Sequence, residues 1–324
     1  MSNSVLEIDN LHVTFFDQFE VVSGLSFSVQ KGETVCLVGE SGCGKSISAL
    51  SILRLLPRGA RISGGTVRLN GENLPDLRES ELRRIRGNQV SMIFQEPMSS
   101  LNPLRTIGFQ IAEVMMLHQK LSRREALARA VELLEIVHMP DAARRMHDYP
   151  HQLSGGMRQR VMIAMAIACD PRVILADEPT TALDVTIQAQ ITELLAEMQR
   201  KFGTAIVLIT HDMGLVAENA DRVIVMYAGQ KVEEAPVDEF FRRPTHPYSR
   251  GLLGSLPQLG ATRSGGRGRL PEIPGTVPAF DELPAGCPFS TRCGHATDKC
   301  RQHRPEFETI DRDHAVACWH PQGG

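Results

Sequence analysis

Residues Gly39–Ser46 read GESGCGKS and satisfy the pattern G-x-x-x-x-G-K-[ST]. Few short segments constrain a fold as tightly. Gly39, Gly42 and Gly44 allow the backbone to turn its N–H groups inward, which makes a nest for phosphate oxygens. A helix starting at the end of such a loop adds the positive end of its dipole. Lys45 would reach β- and γ-phosphates as a point charge, and the Ser46 hydroxyl would face Mg²⁺. The flanks agree. Thr34–Val38 (TVCLV) is a short apolar run, hence a buried strand, and Ile47–Leu56 (ISALSILRLL) is helical.

The chain has 324 residues, which at ~150 residues per domain means two domains or one large domain with an appendage. A net charge of −3 carries no basic signature of a nucleic-acid partner. No run approaches the ~18 apolar residues of a membrane span, and MSNSVLEIDN lacks a charged and then apolar leader. These features place the chain in the cytoplasm, with any membrane role exerted by docking.

Leu6–Val29 reads as two alternating strands. The pair Phe15–Phe16 stands out because aromatic residues are only 5% of the chain; either ring stacks on a nucleobase or closes a strand end in the core. Gly65–Gly71 reads as a strand and hairpin turn, Arg78–Gly87 as an exposed helix, and Val90–Phe94 as a buried strand ending at Gln95. Ile107–Leu117 and Arg123–Val137 have helical periodicity and form an insert between sheet strands. Arg172–Ala176 and Thr204–Thr210 are strands, Thr186–Phe202 a helix, and Asp221–Glu233 a final hairpin around Gly229. The alternation predicts a mostly parallel sheet with helices on both faces. Beyond Arg242 one helix remains, in THPYSRGLLGSLPQLG. Ala261–Arg269 then reads as a flexible basic linker, and the Pro-, Gly- and Cys-rich tail looks unable to bury a core without cross-links.

Two further segments carry chemistry. RVILAD ends in Asp177, a carboxylate delivered by an apolar strand to hold Mg²⁺ through its waters, and Glu178 follows to polarise an attacking water. LSGGM at Leu153–Met157 places a Ser and two glycines at a helix start, a second anion site. One nucleotide does not need two such sites in one chain. The economical reading is that this one completes the pocket of another subunit.

GESGCGKS, Gln95, LSGGMRQR, VILADEP, TALD at Thr181–Asp184 and His211 occur in an order that resembles the ABC-type ATPases, over about Leu6–Glu234. The resemblance implies an α/β P-loop ATPase head with an antiparallel β-edge and an α-helical subdomain at about 97–170. It also implies an ATP site. Gly39, Ser41, Gly42, Cys43, Gly44, Lys45, Ser46 and Ile47 would cradle the phosphates, with Phe15 stacking on adenine in preference to Phe16. Ser46, Gln95 and Asp177 would attend Mg²⁺. Gln95, Glu178 and His211 would serve hydrolysis. Ser154, Gly155, Gly156 and Asp184 would act across to the opposite head.

A finer resemblance rests on QEPMSSLNPLRTIGFQI, HPYSRGLL at His246–Leu253 and PGTVPAFDELPAGCPFSTRC; these are similar to ATPase subunits of dipeptide and oligopeptide importers. Nickel importers share that architecture, and a non-transport ABC ATPase is the remaining alternative. The resemblance implies residues 1–242 as the head and 243–324 as an importer-type extension. It implies a related ATPase chain as heterodimer partner, two transmembrane permease subunits, an extracytoplasmic solute-binding protein, no nucleic acid, and a place on the cytoplasmic face of the bacterial inner membrane.

Cys36, Cys43 and Cys169 lie singly and read as small packed apolar residues. Cys287, Cys293, Cys300 and Cys318 gather in the tail. Their spacing has no tight C-x2-C pair for zinc and matches no common ferredoxin run. Some relatives in the resembled family carry a [4Fe–4S] cluster there, so the expectation is an iron–sulfur site, then Zn²⁺, then free thiols. The role expected for the tail is structural.

Overall fold

A computed structural model of the chain describes residues 4–180, 184–256 and 272–323. The basic linker read at 261–269 and the first three residues of the TALD segment lie outside the described residues. The first elements are β1 (Ser4–Phe15), β2 (Phe19–Gln30), β3 (Thr34–Val38), α1 (Lys45–Ile52), β4 (Ala60–Leu69), β5 (Glu72–Asn73), α2 (Glu79–Ile85) and β6 (Val90–Ile93). Then come α3 (Pro97–Ser100), α4 (Ile107–His118), α5 (Arg123–Ile136), α6 (Ala142–Arg145), α7 (Gly155–Ile167), β7 (Val173–Asp177), α8 (Val185–Phe202) and β8 (Ala205–Ile209). The last are α9 (Met213–Asn219), β9 (Arg222–Tyr227), β10 (Gln230–Pro236), α10 (Val237–Arg242), α11 (Pro247–Gly254), α12 (Asp298–Gln302), β11 (Glu308–Asp311) and β12 (His314–Val316).

Two compact units emerge, and neither is continuous in sequence. The first holds residues 1–7, 28–34 and 67–209; the second holds 8–27, 35–66 and 210–324. A four-stranded sheet has the order β2-β1-β4-β5.

In the first unit β6, β7 and β8 run parallel, with Ile93 opposite Ala176 and Asp177 opposite Ile209. Every residue of these three strands is buried, as expected of strands covered on both faces. The helical insert follows its caps. Thr106 accepts from the Phe109 N–H to start α4, and Ser122 with Glu125 forms a capping box at α5. α4, α5 and α7 pack together through buried residues such as Ile111, Leu134 and Ile163.

In the second unit β3 runs parallel to β9, with Val38 opposite Val225, and β9 turns through Ala228–Gly229 into antiparallel β10. The tail departs from the sequence-based expectation here. β12 pairs antiparallel with β10, setting Glu233 opposite Val316, and β11 pairs with β12. Phe289 from the tail meets Tyr227 of β9 and Tyr248 of α11, with ring centroids 5.2 and 5.4 Å away. The tail therefore has buried apolar contacts without any cross-link, because the surface it covers belongs to the rest of the unit.

A buried polar cluster fastens the same region. The Glu233 carboxylate accepts from the Thr245 N–H and hydroxyl, each at 2.7 Å, and from the His246 N–H at 2.9 Å. His314 of β12 lies against it at 2.7 Å through Nε2. Burial alone would raise the Glu233 pKa, but these hydrogen bonds hold it below the usual carboxylate range. His246 is 1% exposed, and its Nδ1 accepts from the Tyr248 N–H at 3.0 Å to cap α11. Burial lowers its pKa to about 4 against the pull of Glu233. As pH falls from about 6.5 toward 4 the unfolded chain takes up a proton on this imidazole and the folded chain does not, so the contribution of His246 to stability is full above that window and declines through it, by roughly 3 kcal/mol in all. Denaturant titrations at stepped pH check this: the parent should lose this increment between pH 6.5 and 4 relative to His246→Asn, which retains an acceptor and does not titrate.

Candidate functional site

β3 delivers the chain into the phosphate loop, and the glycines there have distinct jobs. Gly39 has φ 150°, and a Cβ at that position would lie 2.2 Å from the Met226 carbonyl oxygen of β9. Gly44 has φ 96°, and a Cβ there would lie 2.7 Å from the Val21 carbonyl oxygen. Gly42, at φ 80°, faces open space. The first two glycines thus permit close backbone approach, and the third permits a turn.

Lys45 opens α1 and is only 6% exposed. Its ammonium donates to the carbonyls of Gly39 (2.8 Å) and Glu40 (2.9 Å) and lies 3.5 Å from the Cys43 sulfur. Burial raises the Cys43 thiol pKa and Lys45 works against it. The Gly229 N–H donates to the Cys43 carbonyl, tying the loop to the β9–β10 turn. Ser46 and Ile47 occupy the first turn of α1, and Ser41 is exposed in the loop. Phe15 is half-buried, whereas Phe16 is 68% exposed with its ring over Gly59. Thr210 donates to the Leu37 carbonyl, which sets the exposed His211 beside β3.

In the first unit Asp177 ends β7 and is 6% exposed. Glu178 follows with φ 45°, a left-handed backbone that costs a non-glycine residue about 1 to 3 kcal/mol. Two bonds hold it there. Its N–H donates to the Ile209 carbonyl of β8 at 2.9 Å, and its Oε2 accepts from Gln95 Nε2 at 2.7 Å. Gln95 lies just past the end of β6, so three strand ends meet at one residue, the β8 end at its backbone N–H and the segment after β6 at its carboxylate.

Ser154 caps α7 by accepting from the Met157 N–H. Asp184 caps α8 by accepting from the Ile187 N–H at 3.0 Å. A Cβ on Gly156 would meet Ile187 at 2.9 Å, so the two helix starts abut closely. Ser154, Gly155, Gly156 and Asp184 together line a cavity of about 620 Å³. His138, Pro140 and Arg160 also line it. Arg160 closes the LSGGMRQR segment, whereas no sequence pattern marks His138 and Pro140.

The donors expected at Mg²⁺ are the Ser46 hydroxyl, the Asp177 carboxylate and the Gln95 amide oxygen. These are hard oxygen ligands of the kind that ion takes. The tail is different. Burial raises Cys287 and Cys318 to about 11, and the charges of the other three tail cysteines add to the rise of Cys318. Yet among the described residues no group of three or more His, Cys, Asp or Glu side chains could hold a metal ion. The expectation of an iron–sulfur or zinc site at Cys287, Cys293, Cys300 and Cys318 therefore gains no support. Backbone bonding and packing order this segment instead; the Cys287 N–H, for example, donates to the Cys300 carbonyl at 2.7 Å. Cys36, Cys43 and Cys169 are buried as expected.

Comparison with known proteins matches residues 22–181 to the ABC transporter family and residues 232–300 to the oligopeptide/dipeptide transporter C-terminal region. The oligopeptide transport ATP-binding protein AppD of Bacillus subtilis is 51% identical over 98% of this chain and 97% of its own length. The chain belongs to the ABC transporter ATP-binding proteins. The dipeptide transport ATP-binding protein DppD of Escherichia coli is 48% identical over the same shares. Among solved structures, the dimeric ATP-binding cassette MJ0796 with ADP and phosphate superposes with a TM-score of 0.65 at 29% identity, over 72% of this chain and 98% of that one. The chain is thus an ABC-type ATPase with the cassette fold. The second matched region of this ABC subunit begins in β10 and takes in α10, α11 and part of the tail. Among the described residues no helix is long and apolar enough to cross a membrane.

The glycine geometry makes a paired prediction. Gly39→Ala forces the β9 backbone to move and should cost more than about 4 kcal/mol. Gly42→Ala meets only left-handed strain, about 1 to 2 kcal/mol. Denaturant midpoints of the two variants check the order.

Proposed function

We propose that this chain is the ATP-hydrolysing subunit of an importer that takes up dipeptides or oligopeptides. Support for the solute class comes from the near-complete coverage of AppD and DppD together with the matched C-terminal region. The head would span residues 1–242 and the importer-type extension 243–324. The chain would work as a pair with a related ATPase chain, on the cytoplasmic face of the bacterial inner membrane, beneath two permease subunits fed by a solute-binding protein.

The observation that carries the chemistry is Glu178, held in a left-handed backbone with its carboxylate fixed by Gln95. Glu178 acts as the base that orients and polarises the attacking water. Gln95 positions that base and, lying before α3 and α4, links it to the helical insert. Lys45 and the loop N–H groups bind the phosphates, and Phe15 or its more exposed neighbour Phe16 stacks on adenine. Ser46, Asp177 and Gln95 would hold Mg²⁺, which would supply charge neutralisation to the phosphates when bound. His211 contacts the γ-phosphate. Ser154, Gly155 and Gly156 bring a helix start to the nucleotide of the opposite head, and Asp184 contacts that head. The cavity that Ser154, Gly155, Gly156 and Asp184 share supports this trans role. Most of the rate gain is then positioning and charge stabilisation.

Glu178→Gln should bind MgATP at near-parent affinity and lower turnover by about 100-fold or more. Phosphate release and nucleotide titration on the full chain check both halves. Placed in cells that lack redundant importers, the same variant should abolish uptake of labelled dipeptide or longer peptide. Loss of Ni²⁺ uptake alone would keep the machine and change its solute.

A further inference from the structure

Glu40, the second residue of the phosphate loop, is held at three points. Its carbonyl accepts from Lys45 at 2.9 Å. Its N–H donates to the Tyr248 hydroxyl oxygen at 2.7 Å. Its carboxylate takes both arms of the Arg292 guanidinium, at 2.6 and 3.0 Å. Two of these three holds come from the C-terminal extension, one from α11 and one from the tail.

Arg292 is built into its place. Its side chain is 4% exposed. Nε donates to the Pro274 carbonyl at 2.8 Å, and Nη2 also reaches the Gly275 carbonyl at 3.2 Å. The guanidinium lies beside the rings of Tyr227 and Phe289, 5.8 and 6.0 Å from their centroids. Its own backbone N–H donates to the Phe289 carbonyl. The tail therefore presents a planar two-pronged cation, already oriented, to a single carboxylate.

That carboxylate is in an awkward position for a loop that must hold a triphosphate. It adds a negative charge within the segment that gathers phosphate oxygens. Lys45, the loop's own cation, already sits against the Glu40 backbone. Without Arg292, Glu40 would repel phosphate and compete with it for Lys45. We propose that Arg292 is a positioning residue for nucleotide binding: by neutralising and orienting Glu40, the C-terminal extension completes the phosphate loop and keeps Lys45 for ATP. The proposal rests on reading Gly39–Ser46 as the ATP site.

The test is MgATP affinity of the full-length chain, by equilibrium titration. Arg292→Ala should weaken binding about tenfold or more, because it strands a partly buried carboxylate beside the phosphates. Arg292→Lys should fall between, since it keeps the charge and gives up the fork. The decisive variant is the double substitution Glu40→Gln with Arg292→Ala. If neutralisation is the role of Arg292, removing the charge that needs it should return affinity to within about twofold of the parent, close to that of Glu40→Gln alone. A double variant as weak as Arg292→Ala would overturn the proposal and leave Arg292 as packing only. So would an Arg292→Ala variant that binds like the parent. If Arg292→Ala does not fold, the same comparison is made between Arg292→Lys and Glu40→Gln with Arg292→Lys. A parent chain that binds no MgATP at all would instead defeat the reading of the loop.

Discussion

The close approach of the phosphate loop to its surroundings is the constraint on which the second unit depends. Gly39 runs against the Met226 carbonyl of β9 and Gly44 against the Val21 carbonyl, with no room for a side chain. Lys45 is buried behind the loop and holds the Gly39 and Glu40 carbonyls. A buried ammonium is costly unless its donors are met, and here backbone carbonyls meet them. The loop geometry and the placing of its cation are therefore one solution. The β9–β10 hairpin and β2 serve as the walls that make it possible.

Around that core the unit places several charges where water is scarce and answers each one. Glu233 is fully buried and receives bonds from Thr245, His246 and His314. Arg292 is nearly buried and meets Glu40 and two carbonyls. Such pairs do not guarantee net stability, because desolvation offsets much of the attraction. They do make mispairing expensive. A tail that slipped by one residue along β10 would move His314 away from Glu233, and the two faces of β12 would exchange. The charges thus select the docking of a segment whose apolar content is modest.

Glu178 shows the same economy in the first unit. A left-handed glutamate at the end of a parallel strand is unfavourable by itself. The strand pairing of β7 with β8 supplies the Ile209 carbonyl that fixes its amide, and the segment after β6 supplies Gln95. The strain is borne by three neighbouring strands of the sheet, β6, β7 and β8, which are buried throughout.

Much of this was legible in the sequence because it depends on local rules. A run such as TVCLV or VILAD can only be a buried strand beside loops of this kind, and GESGCGKS can bind phosphate through its own backbone. Ser154 is read as a helix start because capping acts over three residues. The tail was misjudged for the opposite reason. Its strands β11 and β12 are short, and their partner β10 lies some eighty residues earlier; no periodicity in the tail reveals it. The metal reading of the four tail cysteines rested on resemblance and not on their spacing, and the placed side chains give it no support. The sequence by itself determined the ATPase motifs, their order and the elements that carry them, since each is set by near neighbours in the chain. Only the tertiary structure decided that Arg292 meets Glu40 across 252 residues, that His314 meets Glu233, and that Gln95 holds Glu178. Side-chain pairs between distant segments depend on how the sheets and the tail pack, and the identity of a residue does not name its partner.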